Sequence, residues 1–191
     1  QQIGNDFKQQ GIEIESELFI NSFKDAYAGK KSELSLKEMQ EVMVKFQQEM
    51  QKKNQEKTKN RGAENLEKGK LFLAENAKKE GIIETESGLQ YRVITEGTGK
   101  TPSATDTVST HYEGRTLDGK IFDSSYKRGQ TTSFPLNGVI KGWTEALQLM
   151  KEGDVWELAI PSELAYGAQG AGQAIEPNAT LKFKIELIAV K

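Results

Sequence analysis

The prolines of this chain are segregated. All four (Pro102, Pro135, Pro161 and Pro177) lie beyond residue 87, with both tryptophans and 12 of the 18 glycines. Proline lacks a backbone donor and breaks helices, so a chain that withholds it from its first 86 residues is built from two kinds of structure. Residues 1–86 are rich in Gln, Glu and Lys and read as helix, whereas residues 87–191 are turn-rich and read as strands. The boundary falls near Thr85-Glu86-Ser87-Gly88.

In the first half, Ile3 and Phe7 sit four apart, as on the remnant of a helix. A second helix is expected over about Glu15–Ala28, with Phe19, Phe23 and Tyr27 along one face and Gly29 as its left-handed cap. Ser35-Leu36-Lys37-Glu38 matches a capping box, in which the serine and glutamate side chains each satisfy the other's orphan amide. A helical pattern continues to about Lys79, and Met39, Met43, Phe46 and Met50 form one stripe along it. The stripe then stops, because residues 51–70 contain only Ala63 and Leu66 as apolar residues. A helix that is polar all round bridges parts of a molecule through solvent. This one would be roughly 65 Å long, with Gly62 and Gly69 as points of bending. The two shorter helices are too small to cover it, and helical units below about 70 residues commonly need a second chain or another staple. Self-association through residues 1–50 is therefore expected over a closed monomeric bundle.

The second half reads as a meandering sheet. Strands are expected at Leu89–Ile94, Thr107–Leu117, Lys120–Ser124, Thr131–Leu136 and Val155–Ile160, with Asp118-Gly119 as a hairpin turn. Leu181, Phe183, Ile185 and Leu187 alternate in a last strand, one face in and one out. Trp143–Met150 is the one good helix between them. A short helix on an antiparallel sheet, preceded by an all-helical arm, is an α+β architecture. Three segments are expected: helices over 1–34, a long connecting helix over 35–80, and the sheet domain over 87–191.

Composition excludes several chemistries. Lys+Arg total 26 against 28 Asp+Glu, so a net charge of −2 gives no electrostatic reason to expect nucleic acid or an anionic membrane as partner. No apolar run approaches the ~20 residues that span a bilayer. Zero cysteines exclude disulfides, thiolate catalysis and cysteine-ligated zinc, and a single histidine excludes His-rich sites, so neither metal nor cofactor is expected. A chain opening at Gln1 rather than Met is expected to be a mature or trimmed product.

Some apparent signals dissolve on inspection. Gly97-Thr98-Gly99-Lys100-Thr101 imitates the end of a phosphate loop, but Ile94 stands where its first glycine belongs and Pro102 where a helix should begin. His111 neighbours Tyr112 on a strand, so the two face opposite ways and the histidine reads as structural. Trp156 shares a face with Leu158 and Ile160 and reads as core. Tyr126 and Arg128 lie on a polar loop with no specific signal. Asn178-Ala179-Thr180 matches a glycosylation sequon and reads as a turn entering the last strand. What remains is a set of separated aromatic residues with one acid and one phenol and no nucleophile–base pair. Such a site suits a reaction that twists a bond without breaking one.

The blocks Phe122-Asp123-Ser124-Ser125, Val139-Ile140-Lys141-Gly142-Trp143 and Leu164-Ala165-Tyr166-Gly167, in this order, resemble FKBP-type peptidyl-prolyl isomerases over about residues 87–191. The first half, with Leu73-Ala74-Glu75-Asn76 and Ser87-Gly88-Leu89-Gln90-Tyr91 at the junction, resembles the helical dimerisation arm of the Mip-like bacterial subfamily. The resemblance implies a V-shaped homodimer formed through the N-terminal helices. It also implies a pocket floored by Trp143, walled by Tyr112, Phe122, Val139, Ile140 and Phe183, and closed by Ile175, with Asp123 as rim acid and Tyr166 as rim phenol. Four departures bear on substrate preference and inhibitor affinity. Thr131-Thr132 leaves only Phe134 where a bulge phenylalanine is common, Ala171 replaces a loop histidine, Ala174 a larger aliphatic and Glu176 a proline.

The implied activity is rotation of X–Pro bonds in unfolded or partly folded polypeptides, with chaperone-like assistance from two pockets per dimer. The Ile140 backbone N–H and the Tyr166 hydroxyl are the candidate donors to substrate carbonyls, and Asp123 acts electrostatically. The same resemblance implies binding of macrolides such as tacrolimus and rapamycin, and a periplasmic or cell-envelope location with a cytoplasmic one open. A peptide-binding module with incidental catalysis, and a host- or matrix-interaction scaffold, remain as readings of other classes.

Overall fold

The computed structural model describes the backbone of residues 1–191 and the side chains of residues 1–8 and 11–191. The chain forms two compact units, residues 1–52 and 53–191.

The first unit holds helices α1 (Gln2–Gln10) and α2 (Ser16–Tyr27) and the start of α3 (Leu36–Asn76). Gly29 takes the expected left-handed conformation after α2, at φ 72°, and its N–H donates to the Ala26 carbonyl at 3.0 Å. Both halves of the capping box form. The Ser35 N–H donates to Glu38 Oε2 at 2.8 Å, and the Glu38 N–H donates to Ser35 Oγ at 3.3 Å. Aromatic contacts are sparse here: Phe7 meets Phe19 edge-on at 6.2 Å and Phe23 stacks on Tyr27 at 6.5 Å. No residue of α2 is buried. Phe23, Tyr27, Val42 and Met43 are all more than half exposed, although burying each such side chain would contribute ~1.5–3 kcal/mol.

The second unit is built on an antiparallel sheet of strands β1 (Ile83–Glu84), β2 (Gln90–Thr95), β3 (Thr107–Thr116), β4 (Ile121–Ser124), β5 (Thr132–Pro135), β6 (Val155–Ile160) and β7 (Leu181–Val190). The spatial order is β1-β2-β6-β7-β3-β4, with β5 pairing β3 beyond β4's stretch of it. The two ten-residue strands β3 and β7 lie side by side at its centre. Helix α5 (Lys141–Leu149) covers one face and buries Trp143, Ala146 and Leu147. Leu181, Phe183, Ile185 and Leu187 all point into this core, as their alternation predicts, with Trp156, Leu158 and Ile160 beside them. The single-turn helix α4 (Ser125–Arg128), capped by Ser124 Oγ, has no counterpart in the sequence reading.

Around the apparent phosphate loop, the amides are occupied by acidic residues. The Gly97 N–H donates to Asp154 Oδ1 at 2.5 Å, and the Lys100 N–H donates to Glu152 Oε2 at 3.2 Å.

One expectation is overturned. The polar part of α3 was expected to cross solvent, yet Gly62, Gly69 and Asn76 are buried in the second unit. A Cβ on Gly62 would lie 3.2 Å from Asn178 Nδ2 and 3.3 Å from Pro177 Cβ, and one on Gly69 would run into the Thr180 side chain. The two glycines are therefore points of close approach. Lacking side chains, they let the helix backbone lie directly on residues 177–180, which an apolar-residue count cannot register. Asn76 and Gln90 complete the contact: Asn76 Nδ2 donates to Gln90 Oε1 and Gln90 Nε2 to the Leu73 carbonyl, both at 2.9 Å.

Candidate active site

The sheet, α5 and the loops beyond β5 and β6 surround a cavity of about 420 Å³. Tyr112 enters it from β3, Phe122 and Asp123 from β4, Phe134 from β5, Trp143 from α5 and Phe183 from β7; Gly138, Val139, Ile140 and Tyr166 complete the lining. The period-two geometry of a strand explains the selection on β3. Tyr112 faces the cavity, so its neighbour His111 turns away, where its Nδ1 lies 3.0 Å from Ser125 Oγ and its ring stacks on Tyr126 at 4.9 Å.

The rings hold one another edge-on. Trp143, only 4 % exposed, meets Tyr112 at 5.0 Å, Phe183 at 5.3 Å and Phe134 at 5.6 Å, with interplanar angles of 79° to 89°. Phe122 meets Phe183 at 5.5 Å and 86°. Edge-to-face pairs place positive ring edges on negative faces, so each ring fixes the tilt of the next. The result is a bowl walled mostly by rings. The Trp143 indole N–H has no hydrogen-bond partner among the described residues.

The rim carries the polar groups. Asp123 Oδ2 accepts from the Tyr112 hydroxyl at 2.6 Å. Arg128, at the end of α4, donates to Asp123 Oδ1, donates to the Tyr112 hydroxyl at 2.8 Å, and lies 5.5 Å over the Tyr112 ring. Partial burial pushes the Asp123 carboxyl up, but the hydrogen bonds from Tyr112 and Arg128 outweigh it and leave the group below its usual value. It is a carboxylate at neutral pH. Tyr166 is pushed up by burial and then by the Asp123 charge, so its hydroxyl stays protonated and able to donate. Among the described residues nothing accepts from that hydroxyl or from the Ile140 N–H.

Of the residues singled out from the sequence, Tyr112, Phe122, Asp123, Val139, Ile140, Trp143, Tyr166 and Phe183 come together here. Ile175 does not. It is 5 % exposed within the core, off the lining, because its backbone pairs with Ala171 (2.8 and 3.1 Å) and turns the loop inward. Three lining or rim residues escaped the sequence reading of the site, Gly138 among them. Phe134 was noted only as what a departure leaves behind, and it supplies a wall. Arg128, set aside as unremarkable, is the cation of the rim, brought there by the single turn of α4, for which the sequence offered no signal. No group of three or more potential metal ligands occurs among the described residues.

Comparison with known proteins finds matches that cover both units. Residues 98–188 match the family model described as FKBP-type peptidyl-prolyl cis-trans isomerase, and residues 1–93 match the one described as the domain amino terminal to FKBP-type peptidyl-prolyl isomerase. The probable FKBP-type peptidyl-prolyl cis-trans isomerase FkpA of Neisseria meningitidis serogroup B is 48 % identical over 183 residues, which are 96 % of this chain and 67 % of that one. The outer membrane protein MIP of Legionella longbeachae is 43 % identical over 189 residues, 99 % of this chain and 81 % of the relative. The crystal structure of FkpA from Escherichia coli superposes with a TM-score of 0.87 at 41 % identity, covering 99 % of this chain and 89 % of that one.

Proposed function

The chain belongs to the FKBP-type peptidyl-prolyl cis-trans isomerases, and from that premise we propose that the ring-walled cavity is where the X–Pro bond turns, with Trp143 as its floor. Amide rotation faces a barrier of ~18–20 kcal/mol because resonance makes the C–N bond partly double. Catalysis requires only that the twisted amide, which has lost that resonance, be held better than either planar form. A dry aromatic bowl disfavours the dipolar planar amide relative to the less polar twisted one. The proline ring would lie on the Trp143 indole between Tyr112, Phe122 and Phe183.

The Ile140 N–H and the Tyr166 hydroxyl hold substrate carbonyls and bend the peptide into a turn. Support comes from their lacking other acceptors at the cavity's edge. Asp123, kept ionised by Tyr112 and Arg128, opposes the rotating carbonyl's dipole in one orientation and transfers no proton. The single observation that carries this reading is the Trp143 indole, clasped edge-on by three other rings beneath an open apolar cavity. The clients are proline-containing segments of unfolded or partly folded proteins, and macrolides of the tacrolimus and rapamycin type would occupy the same bowl.

We also propose that the chain works as a homodimer joined through residues 1–50, supported by the exposed apolar side chains of that unit. Two linked cavities would raise the effective concentration of one client's second proline segment and so assist folding. A periplasmic or cell-envelope setting is supported by the name of the Legionella relative. No helix among the described residues is long and apolar enough to cross a membrane.

Protease-coupled isomerisation of a Leu-Pro tetrapeptide tests the site. Trp143→Ala and Asp123→Ala are each expected to lower kcat/KM at least ~10-fold, or about 1.4 kcal/mol of transition-state stabilisation, with assembly mass unchanged. Full activity in Trp143→Ala would remove the indole from the mechanism.

A further inference from the structure

Asn178 is the one non-glycine residue with positive φ, at 54°, among the described residues. A left-handed residue with a side chain persists only where its surroundings over-determine it, and asparagine tolerates it best. Here the constraints come from two directions. The Asn178 backbone N–H donates to the Gly167 carbonyl at 2.8 Å, and its side-chain Nδ2 donates to the Gly62 carbonyl of α3 at 3.1 Å. Gly167 directly follows Tyr166, whose phenol stands at the cavity rim. An unbroken path of bonds thus runs from the backbone of the long helix through Asn178 to the rim.

The neighbouring contacts brace the same loop. Glu176 accepts from Arg61 at 2.5 Å and from Asn65 Nδ2 at 3.1 Å, and Asn65 also donates to the Pro177 carbonyl at 3.0 Å. Asn65 lies four residues from Arg61 and three from Gly62, so it neighbours both on the side of α3 that meets the loop. Glu176 is the position that departs from the proline common in the family, so the departure has a structural use here. The loop needs such a brace: Gly167, Gly170 and Gly172 all have positive φ, and a loop rich in glycine loses more conformational freedom when ordered.

We propose that α3 is part of the isomerase site, because it fixes the loop bearing the Tyr166 hydroxyl, and that Asn178 is the positioning residue through which it does so. This rests on the cavity being the proline site. A rim hydroxyl held in place before substrate arrives spares that ordering on binding.

The test uses the full chain. Asn178→Gly keeps the left-handed backbone and the bond to Gly167 but removes the bond to Gly62. It is expected to raise KM for the tetrapeptide about fivefold with kcat within about twofold of the parent, the pattern of lost uniform binding. Gly62→Ala, which crowds the same contact from the helix side, should act in the same direction. Because Asn178 acts through Tyr166, the pair Asn178→Gly with Tyr166→Phe should lose no more than Tyr166→Phe alone. Additive losses, or KM unchanged in both single variants, would overturn the proposal. The amide resonances of Tyr166 and Gly167 give a readout independent of turnover. They should move in Gly62→Ala, and unmoved resonances would refute the tether, whereas a parent protein without turnover would refute the proline site instead.

Discussion

Asp123, Tyr112 and Arg128 behave as one polar unit, and their chemistry sets the pH response of the rim. The folded Asp123 carboxyl titrates below its ordinary value of 3.8. Its contribution to stability is therefore complete above about pH 4, and it is lost as pH falls through the depressed folded value. Arg128→Ala should raise that carboxyl towards 3.8, as read by a side-chain NMR titration, and reduce kcat/KM by about threefold to tenfold. The melting temperature should barely move, since an exposed ion pair is worth only ~0–1 kcal/mol; the Asp123 and Arg128 side chains are 42 % and 41 % exposed. A carboxyl titrating unchanged in Arg128→Ala would remove the cation from the rim. Asp123 was legible because it sits in a distinctive block beside Phe122. Arg128 was not, because its neighbours Tyr126, Lys127 and Gly129 carry no periodic signal, and only the turn of α4 swings it back over Tyr112.

Among the elements, the strands were the most legible. Alternation is a direct print of burial on a two-sided sheet, so β6 has the expected ends and β7 the expected buried face. The capping box of α3 was equally readable, being a reciprocal bond within four residues. The packing of α3 was not. Its buried positions in the second unit include two glycines and one asparagine, residues that carry no hydrophobic print. Gly69→Ala makes this measurable. On an isolated helix the change would stabilise by about 1 kcal/mol. Here the added methyl meets the Thr180 side chain, and overpacking of this kind costs ~1–3 kcal/mol. A lower melting temperature is expected, whereas alanine at the exposed position Lys57 should leave it unchanged or raise it. A Gly69→Ala protein as stable as its parent would show that α3 does not lie closely on Thr180.

For the molecule as a whole, the two units are expected to divide the labour. A chain trimmed to residues 53–191 keeps every cavity residue and the α3 contacts at Gly62 and Gly69. It should turn over the tetrapeptide with kcat/KM within about twofold of the full chain while sedimenting as a monomer. It should assist slow refolding of a protein client poorly, because a single cavity has no linked partner. The full chain should sediment as a dimer at micromolar concentration, and a monomer there would contradict assembly through residues 1–50. Equal refolding assistance from the trimmed chain would deny the first unit a role in folding.

The α+β division and the sheet's inward face follow from local rules acting on neighbouring residues: proline's missing donor, the period of a strand, the reciprocity of a cap; the bowl's rings were legible only through the motif blocks that resemble the isomerase family. The return of Arg128 over Tyr112 and the seating of α3 on Asn178 obey no such rule. Each depends on two segments far apart in the chain meeting at a distance set by the packed core, and a contact made by a missing side chain or a backbone carbonyl leaves no periodic trace in the residues that make it.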